Sequence, residues 1–220
     1  NKMKKLITIV TALLFTSNVY AGFGVGVSGS IFNVEADVTE TTSSSDALSG
    51  SDTHSTSVDN DVVPVPGIFG EYTFDAYPIT LGVEMTLGSA DISDKVKSRT
   101  ETPSSGENSG SATDYKANAS IENLTSLYVE IPVYNNFFVK AGALSVDVTT
   151  EESGVASYGN VTGENGTMYG FGIKSGNDAG YNYKLAYEVM DFDTISVTSS
   201  SGNKVAGDID TSGLKFSINF

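Results

Sequence analysis

Alternation is the feature that most constrains this chain: from Gly22 to Phe220 apolar and polar residues take turns in runs, joined by connections that are tight and long in turn. Eight runs can be read: Gly22–Val38, Val62–Asp75, Ile79–Ser89, Ile121–Pro132, Phe137–Val148, Thr167–Ser175, Tyr181–Val197 and Val205–Phe220. Ala76–Pro78, Val133–Asn136 and Gly176–Gly180 are tight connections built on Pro, Asn and Gly, the residues that turns favour. Thr39–Asp61, Ala90–Ser120 and Thr149–Gly166 are long and rich in Ser, Thr, Gly and acids, and Thr198–Lys204 is shorter. Antiparallel strands joined by turns at one end and long loops at the other are the layout of an up-and-down barrel in a membrane.

The two faces of each run separate a soluble sandwich from such a barrel, because a sandwich buries its apolar face while a barrel turns it to lipid. In the third run Ile79, Leu81, Val83, Met85 and Leu87 share one face, and Thr80, Gly82, Glu84, Thr86 and Gly88 share the other. The sixth sets Tyr169, Phe171 and Ile173 against Met168, Gly170, Gly172 and Lys174, and the seventh sets Tyr183, Leu185, Tyr187 and Val189 against Asn182, Lys184, Ala186 and Glu188. Small residues and charges suit a narrow lumen, and closure leaves no unpaired backbone group facing lipid. The expected fold is all-β: an eight-stranded antiparallel up-and-down transmembrane β-barrel with short periplasmic turns and long extracellular loops.

The N-terminus agrees with export. Met3-Lys4-Lys5 is basic, Leu6 to Phe15 is mostly apolar, and Val19-Tyr20-Ala21 has cleavage spacing, so residues 1–21 read as a signal peptide with Asn1 and Lys2 upstream of the initiator Met3. The apolar stretch falls short of the roughly 20 residues of a spanning helix. Residues 22–220 form the barrel domain. They contain no Cys, and without Lys2, Lys4 and Lys5 they carry nine basic against 27 acidic side chains. Such acidity argues against nucleic acid as a partner, since phosphate binding needs clustered Lys and Arg.

Phe23, Phe74, Tyr77, Tyr134, Phe137, Tyr181 and Phe220 all fall near the tight-turn end, as a periplasmic aromatic girdle would. The chain closes on Leu214-Lys215-Phe216-Ser217-Ile218-Asn219-Phe220, an alternating strand ending in Phe. This resembles the C-terminal assembly signal of outer-membrane barrels, and with the eight-run rhythm the chain looks like the OmpA, OmpX and opacity-protein group. The resemblance implies that Leu214, Phe216, Ile218 and Phe220 are read by the barrel-insertion machinery. It implies residence in the bacterial outer membrane, with membrane lipid and lipopolysaccharide as surroundings.

Other motifs carry less. Gly24-Val25-Gly26-Val27-Ser28-Gly29 matches G-x-G-x-x-G but opens a strand, without the preceding strand and following helix of a dinucleotide site. Asn118, Asn123, Asn160 and Asn165 begin Asn-x-Ser/Thr triplets of the kind that Asn- and Thr-rich segments produce by chance. Some eight-stranded barrels are lipid-modifying enzymes with a rim His beside acidic and Ser partners. The single His54, between Asp52 and Asp59, is read instead as a solvated loop residue. Asp59-Asn60-Asp61 and Asp208-Ile209-Asp210 lack calcium-loop spacing. The expectation is a barrel that is not an enzyme and holds no cofactor or metal.

The polar faces place Glu71, Glu84, Glu130 and Glu188 in the lumen with Lys140, Lys174, Lys184 and Lys215. Glu71 and Glu84 share one hairpin and Lys174 and Lys184 another, so cross-lumen pairing of the two Glu with the two Lys is expected. Buried charges persist only when paired, so the eight should form an ion-pair network that plugs the lumen. Eight strands enclose a space that side chains can fill. The leading expectation is a structural or surface-interaction barrel, with a narrow ion or small-solute pore as the alternative; what the loops bind is open.

Overall fold

A computed structural model describes residues 22–41, 53–74, 79–91, 97–101, 113–153, 159–176, 181–199 and 202–220. The segment expected to be a signal peptide, residues 1–21, lies outside the described residues, as does Tyr77. The chain forms β1 (Phe23–Thr41), β2 (Thr53–Thr73), β3 (Thr80–Thr86), β4 (Ala90–Asp91), β5 (Lys97–Glu101), β6 (Thr113–Tyr134), β7 (Phe137–Ser153), β8 (Val161–Gly176), β9 (Asn182–Phe192), β10 (Ile195–Thr198) and β11 (Lys204–Asn219). Eight of them are staves in the order β1-β2-β3-β6-β7-β8-β9-β11, every neighbour antiparallel, and β1 pairs with β11 to close the ring. The short β4 and β5 pair with β6, and β10 pairs with β11. The backbone at the chain's end is tied into the closure: Phe220 donates to Val25 O at 3.0 Å and Val25 donates back to Phe220 O at 3.1 Å.

The strands outrun the apolar runs. Expected loop residues 39–61 are strand as far as Thr41 and again from Thr53, and 149–166 are strand to Ser153 and again from Val161. The pairing resumes past a bulge in each ladder and continues to Thr41↔Thr53 and Lys116↔Ser153. The reason is physical: a hairpin ladder is held by backbone hydrogen bonds, so once the strands leave lipid the ladder continues with Ser, Thr and acids on both faces. Alternation of hydrophobicity marks the membrane-facing part of a strand, not its length.

β-bulges sit where belt gives way to ribbon, at Val34/Ala36, Glu122/Thr125 and Val146/Val148. Asn123 adopts φ +52°, a left-handed conformation that Asn tolerates. The bulges of β6 and β7 are tied by Asp147, whose carboxylate accepts from Asn123 Nδ2 at 2.9 Å and from Gly163 N at 2.8 Å.

Burial alternates along each stave and sorts the faces as the sequence indicates. Ile31 (59% exposed), Leu127, Phe171 (62%), Leu185 and Leu214 (54%) point outward and form part of an apolar belt around the closed barrel. On β1 the belt stops at Asn33 and Glu35; on β11 it stops at Ser212 and Asp210. At the tight-turn end Phe74, Tyr134, Phe137, Tyr181 and Phe220 are exposed, with Tyr72 and Phe74 packed edge to face at 5.0 Å and Tyr181 and Phe220 at 6.3 Å.

Candidate functional site: a lumen closed in two layers

Inward positions on every stave converge on the barrel axis, and toward the tight-turn end they carry charge. Among the described residues, Glu71, Glu84, Glu130, Glu188, Lys140, Lys184 and Lys215 are all buried there. They form two clusters. In the first, Lys184 of β9 reaches across to Glu71 of β2 and to Glu130 Oε2 of β6 at 2.8 Å. In the second, Lys215 of β11 lies 2.8 Å from Glu84 Oε2 and 2.7 Å from Glu188 Oε2, the latter off the hydrogen-bonding axis, while Lys140 of β7 donates to Glu188 Oε1 at 2.8 Å. Lys140 also sits 3.9 Å from Glu84. Every ammonium serves two carboxylates, and Glu188 is completely buried.

Four carboxyls face three ammoniums, and neutral donors make up the difference. Tyr128 Oη donates to Glu71 at 2.7 Å, Asn219 Nδ2 to Glu71 at 3.1 Å and Ser28 Oγ to Glu84. Tyr128 also joins the clusters, because its ring face receives the Lys140 ammonium 3.7 Å from the centroid while its hydroxyl holds Glu71. The ring lies over Gly82, its direct register partner, where a Cβ would come within 2.3 Å of it. Phe138, nearly fully buried, lies likewise over Gly172 across the β7–β8 pair, 2.7 Å from where a Cβ would be. Glycine on one strand makes room for an aromatic ring on the next.

Lys174 is the correction to the expected set. It is on the inward side of β8 and directly opposite Lys184, as expected, yet it is only half-buried and has no ion pair among the described residues. Its neighbour Lys184 already takes Glu71 and Glu130, and Lys174 stands at the tight-turn end, where its backbone N–H binds Asn136 O at 2.9 Å. A second ammonium beside the first finds a better solvent in water at the rim. Of the expected pairing of Glu71 and Glu84 with Lys174 and Lys184, Lys184 meets Glu71, while Glu84 is met by Lys215 in place of Lys174. Glu130 and Lys140, cross-strand partners in the register, each pair elsewhere.

Three members of the layer escape the sequence reading, Ser28, Tyr128 and Asn219. Tyr128 and Asn219 have the inward parity of Glu130 and Lys215, so counting positions from those charges would have found them, whereas Ser28, between Gly67 and Ser217 in the register, has no charged neighbour to point to it.

Toward the ribbon end the same inward positions turn apolar. Phe32, Val34, Leu144, Val146, Met190 and Phe192 are buried against one another as part of a core above the ions. The change happens within single strands, between Ser30 and Phe32 on β1 and between Glu188 and Met190 on β9. The lumen expected to hold small residues and charges also holds this cluster of large apolar side chains.

The remaining expected site residues fall elsewhere. Leu214, Phe216 and Phe220 are exposed on the outward face and Ile218 is half-buried there, on the stave that closes the ring. His54 stands on β2 opposite Glu40 in the β1–β2 ribbon, beyond the belt, and its side chain lies outside the described residues. No group of His, Cys, Asp and Glu able to hold a metal occurs among the described residues.

A closed antiparallel ring with tight turns at one end, long ribbons at the other, an outward apolar belt and a filled lumen defines the class: a small bacterial outer-membrane β-barrel, with its belt in the membrane's hydrocarbon layer. No protein-family model matches the chain, and no curated protein does. Among solved structures, it is similar to Neisserial surface protein A (12% identity, TM-score 0.41, covering 90% of this chain and 96% of that one). It is similar to the outer membrane protein OprG from Pseudomonas aeruginosa (14%, 0.45, 91% and 96%) and to the outer membrane protease OmpT from Escherichia coli (10%, 0.45, 93% and 100%).

Proposed function

We propose that this protein is a closed, non-catalytic barrel that stabilises the outer membrane and presents acidic β-ribbons at the cell surface. The observation that supports it is the lumen, filled by buried ion pairs in one layer and by packed apolar side chains in the next. In a low-dielectric interior a paired Lys and Glu hold each other in place, because moving either leaves the other charge buried and alone. The ribbons, free of that constraint, offer carboxylates and hydroxyls to the outside. Lipopolysaccharide and membrane lipid surround the belt, and no cofactor enters the reading.

Proteoliposome swelling tests it against the narrow-pore alternative. Vesicles containing the refolded protein should swell in small sugars and amino acids no faster than empty vesicles; size-dependent swelling would make the protein a solute pore. For assembly, the proposal is that the outward Leu214, Phe216, Ile218 and terminal Phe220 are what the insertion machinery reads. Deleting Phe220 should then reduce outer-membrane insertion in cells far more than Val83→Ala at a lipid-facing site. Equal insertion of the two variants would reject that role.

A further inference from the structure

The barrel wall has a seam. Hydrogen-bonded pairing between β2 and β3 runs from Thr73↔Thr80 to Gly67↔Thr86, with one more bond from Leu87 N to Pro66 O at 2.8 Å. Beyond that point β3 ends, Gly88 turns the chain with φ +91°, and β4 and β5 pair with β6 rather than with β2. Among the described residues no strand pairs with that side of β2 from Thr53 to Val65, while its other side stays paired with β1.

The sequence fits an unpaired edge. A strand residue directs its N–H and C=O to the same side, so Pro66, whose carbonyl accepts from Leu87, would have aimed its N–H at the seam. Pro64, two residues on, would have done the same. Proline has no N–H to leave unpaired, which is why it is tolerated at an edge and excluded from a paired strand. At this level of the barrel Pro64, which has no partner on that side, has no donor to satisfy, and Pro66, bonded through its carbonyl alone, has none either.

Behind the seam lies a cavity of about 40 Å³. Its wall side is Pro64, Pro66 and Leu87; its lumen side includes Val65 of β2, Ile121 of β6 and Phe192 of β9. The mouth opens in the apolar belt, since Pro64 is in register with Ile31, Ile31 with Leu214, and all three are exposed outward with Leu87 beside them. The cavity floor is the ion-pair layer, reached at Glu84 and Lys215 by a smaller void of about 10 Å³. It is therefore a pocket entered from the side and stopped below.

We propose that this slot binds the end of one acyl chain of a lipid in the surrounding membrane. Chemistry and size both select that occupant: the mouth is continuous with the lipid-facing belt, the lining is mostly aliphatic and aromatic, and the volume admits a few methylenes but no headgroup. An apolar void at a lipid boundary gains dispersion contacts when a chain end fills it. The slot ends on the ion-pair layer, so it holds the chain end in the wall and is no passage across the barrel. This binding is independent of what the ribbons contact.

The chain contains no Trp, so a single introduced Trp is a unique emitter. Phe192→Trp puts it on the lumen side of the slot, Leu127→Trp on the lipid face and Phe138→Trp in the lumen away from the slot. Each variant is refolded into vesicles of phosphatidylcholine with brominated acyl chains, which quench Trp on contact, and folding is checked by heat-modifiable gel migration. Emission from Phe192→Trp should fall nearly as far as from Leu127→Trp, while Phe138→Trp keeps its emission, and Val65→Phe added to Phe192→Trp should restore the signal by filling the slot. Quenching of Phe192→Trp no greater than that of Phe138→Trp would overturn the proposal. So would quenching by aqueous iodide but not by brominated lipid, which would make the cavity a water inlet. If Phe192→Trp does not fold, Met190→Trp, lining the same cavity, reports the same outcomes.

Discussion

The two halves of the lumen solve one packing problem in opposite ways. Both are built from inward positions of the same eight staves, and both fill them with buried side chains. The half nearer the tight turns does so with seven charges whose partners come from different strands, so Lys184 ties β9 to β2 and β6, and Lys215 ties β11 to β3 and β9. The half nearer the ribbons does so with Phe32, Leu144, Val146 and Met190, which need only shape. The difference is one of failure. In the apolar half a lost methyl leaves a void whose cost grows with its size. In the charged half a lost partner leaves a carboxylate that cannot remain ionised and dry, so the damage is closer to all-or-none.

The largest effect should follow Lys184→Met, which leaves Glu71 and Glu130 without their shared ammonium, at a cost of about 3 to 5 kcal/mol. Urea unfolding of the refolded barrel in detergent micelles measures it, and a loss below that of an apolar truncation would erase the contrast between the halves. Leu144→Ala, in the apolar layer, should cost about 3 kcal/mol in the same assay. That variant should leave the denaturant slope unchanged, since packing is lost without opening the barrel. The smallest effect belongs to Lys174→Met, within about 0.5 kcal/mol, because that ammonium stands at the rim with no ion pair among the described residues. A loss as large as that of Lys184→Met would return Lys174 to the network.

Much of this was legible in the chain before folding, and the exceptions have causes. Period-two alternation gives the staves and their faces, so Glu84 and Lys215 could be placed inward from parity alone. Partners could not, because parity says which face a side chain takes but not its height or its neighbour across the ring. Glu71 lies opposite Gly82, with Glu84 opposite Phe69, and these offsets together with the ring's curvature decide which Lys each meets. The apolar layer was hidden by averaging over whole strands: inward residues of β9 read Lys184, Ala186, Glu188 and then Met190, Phe192, a change of solvent within one strand. The ribbons were hidden because their backbone ladders need no apolar side chains. Pro64-Val65-Pro66 inside an otherwise strand-like run was the visible sign of the seam, since two prolines of like parity fit only an unpaired edge.

Single-channel recording in a planar bilayer tests the central claim, a lumen sealed by two stacked layers, most directly. Purified wild-type barrel should add no stable conductance at either polarity, whereas discrete, long-lived openings of porin size would show a continuous water path and contradict the account.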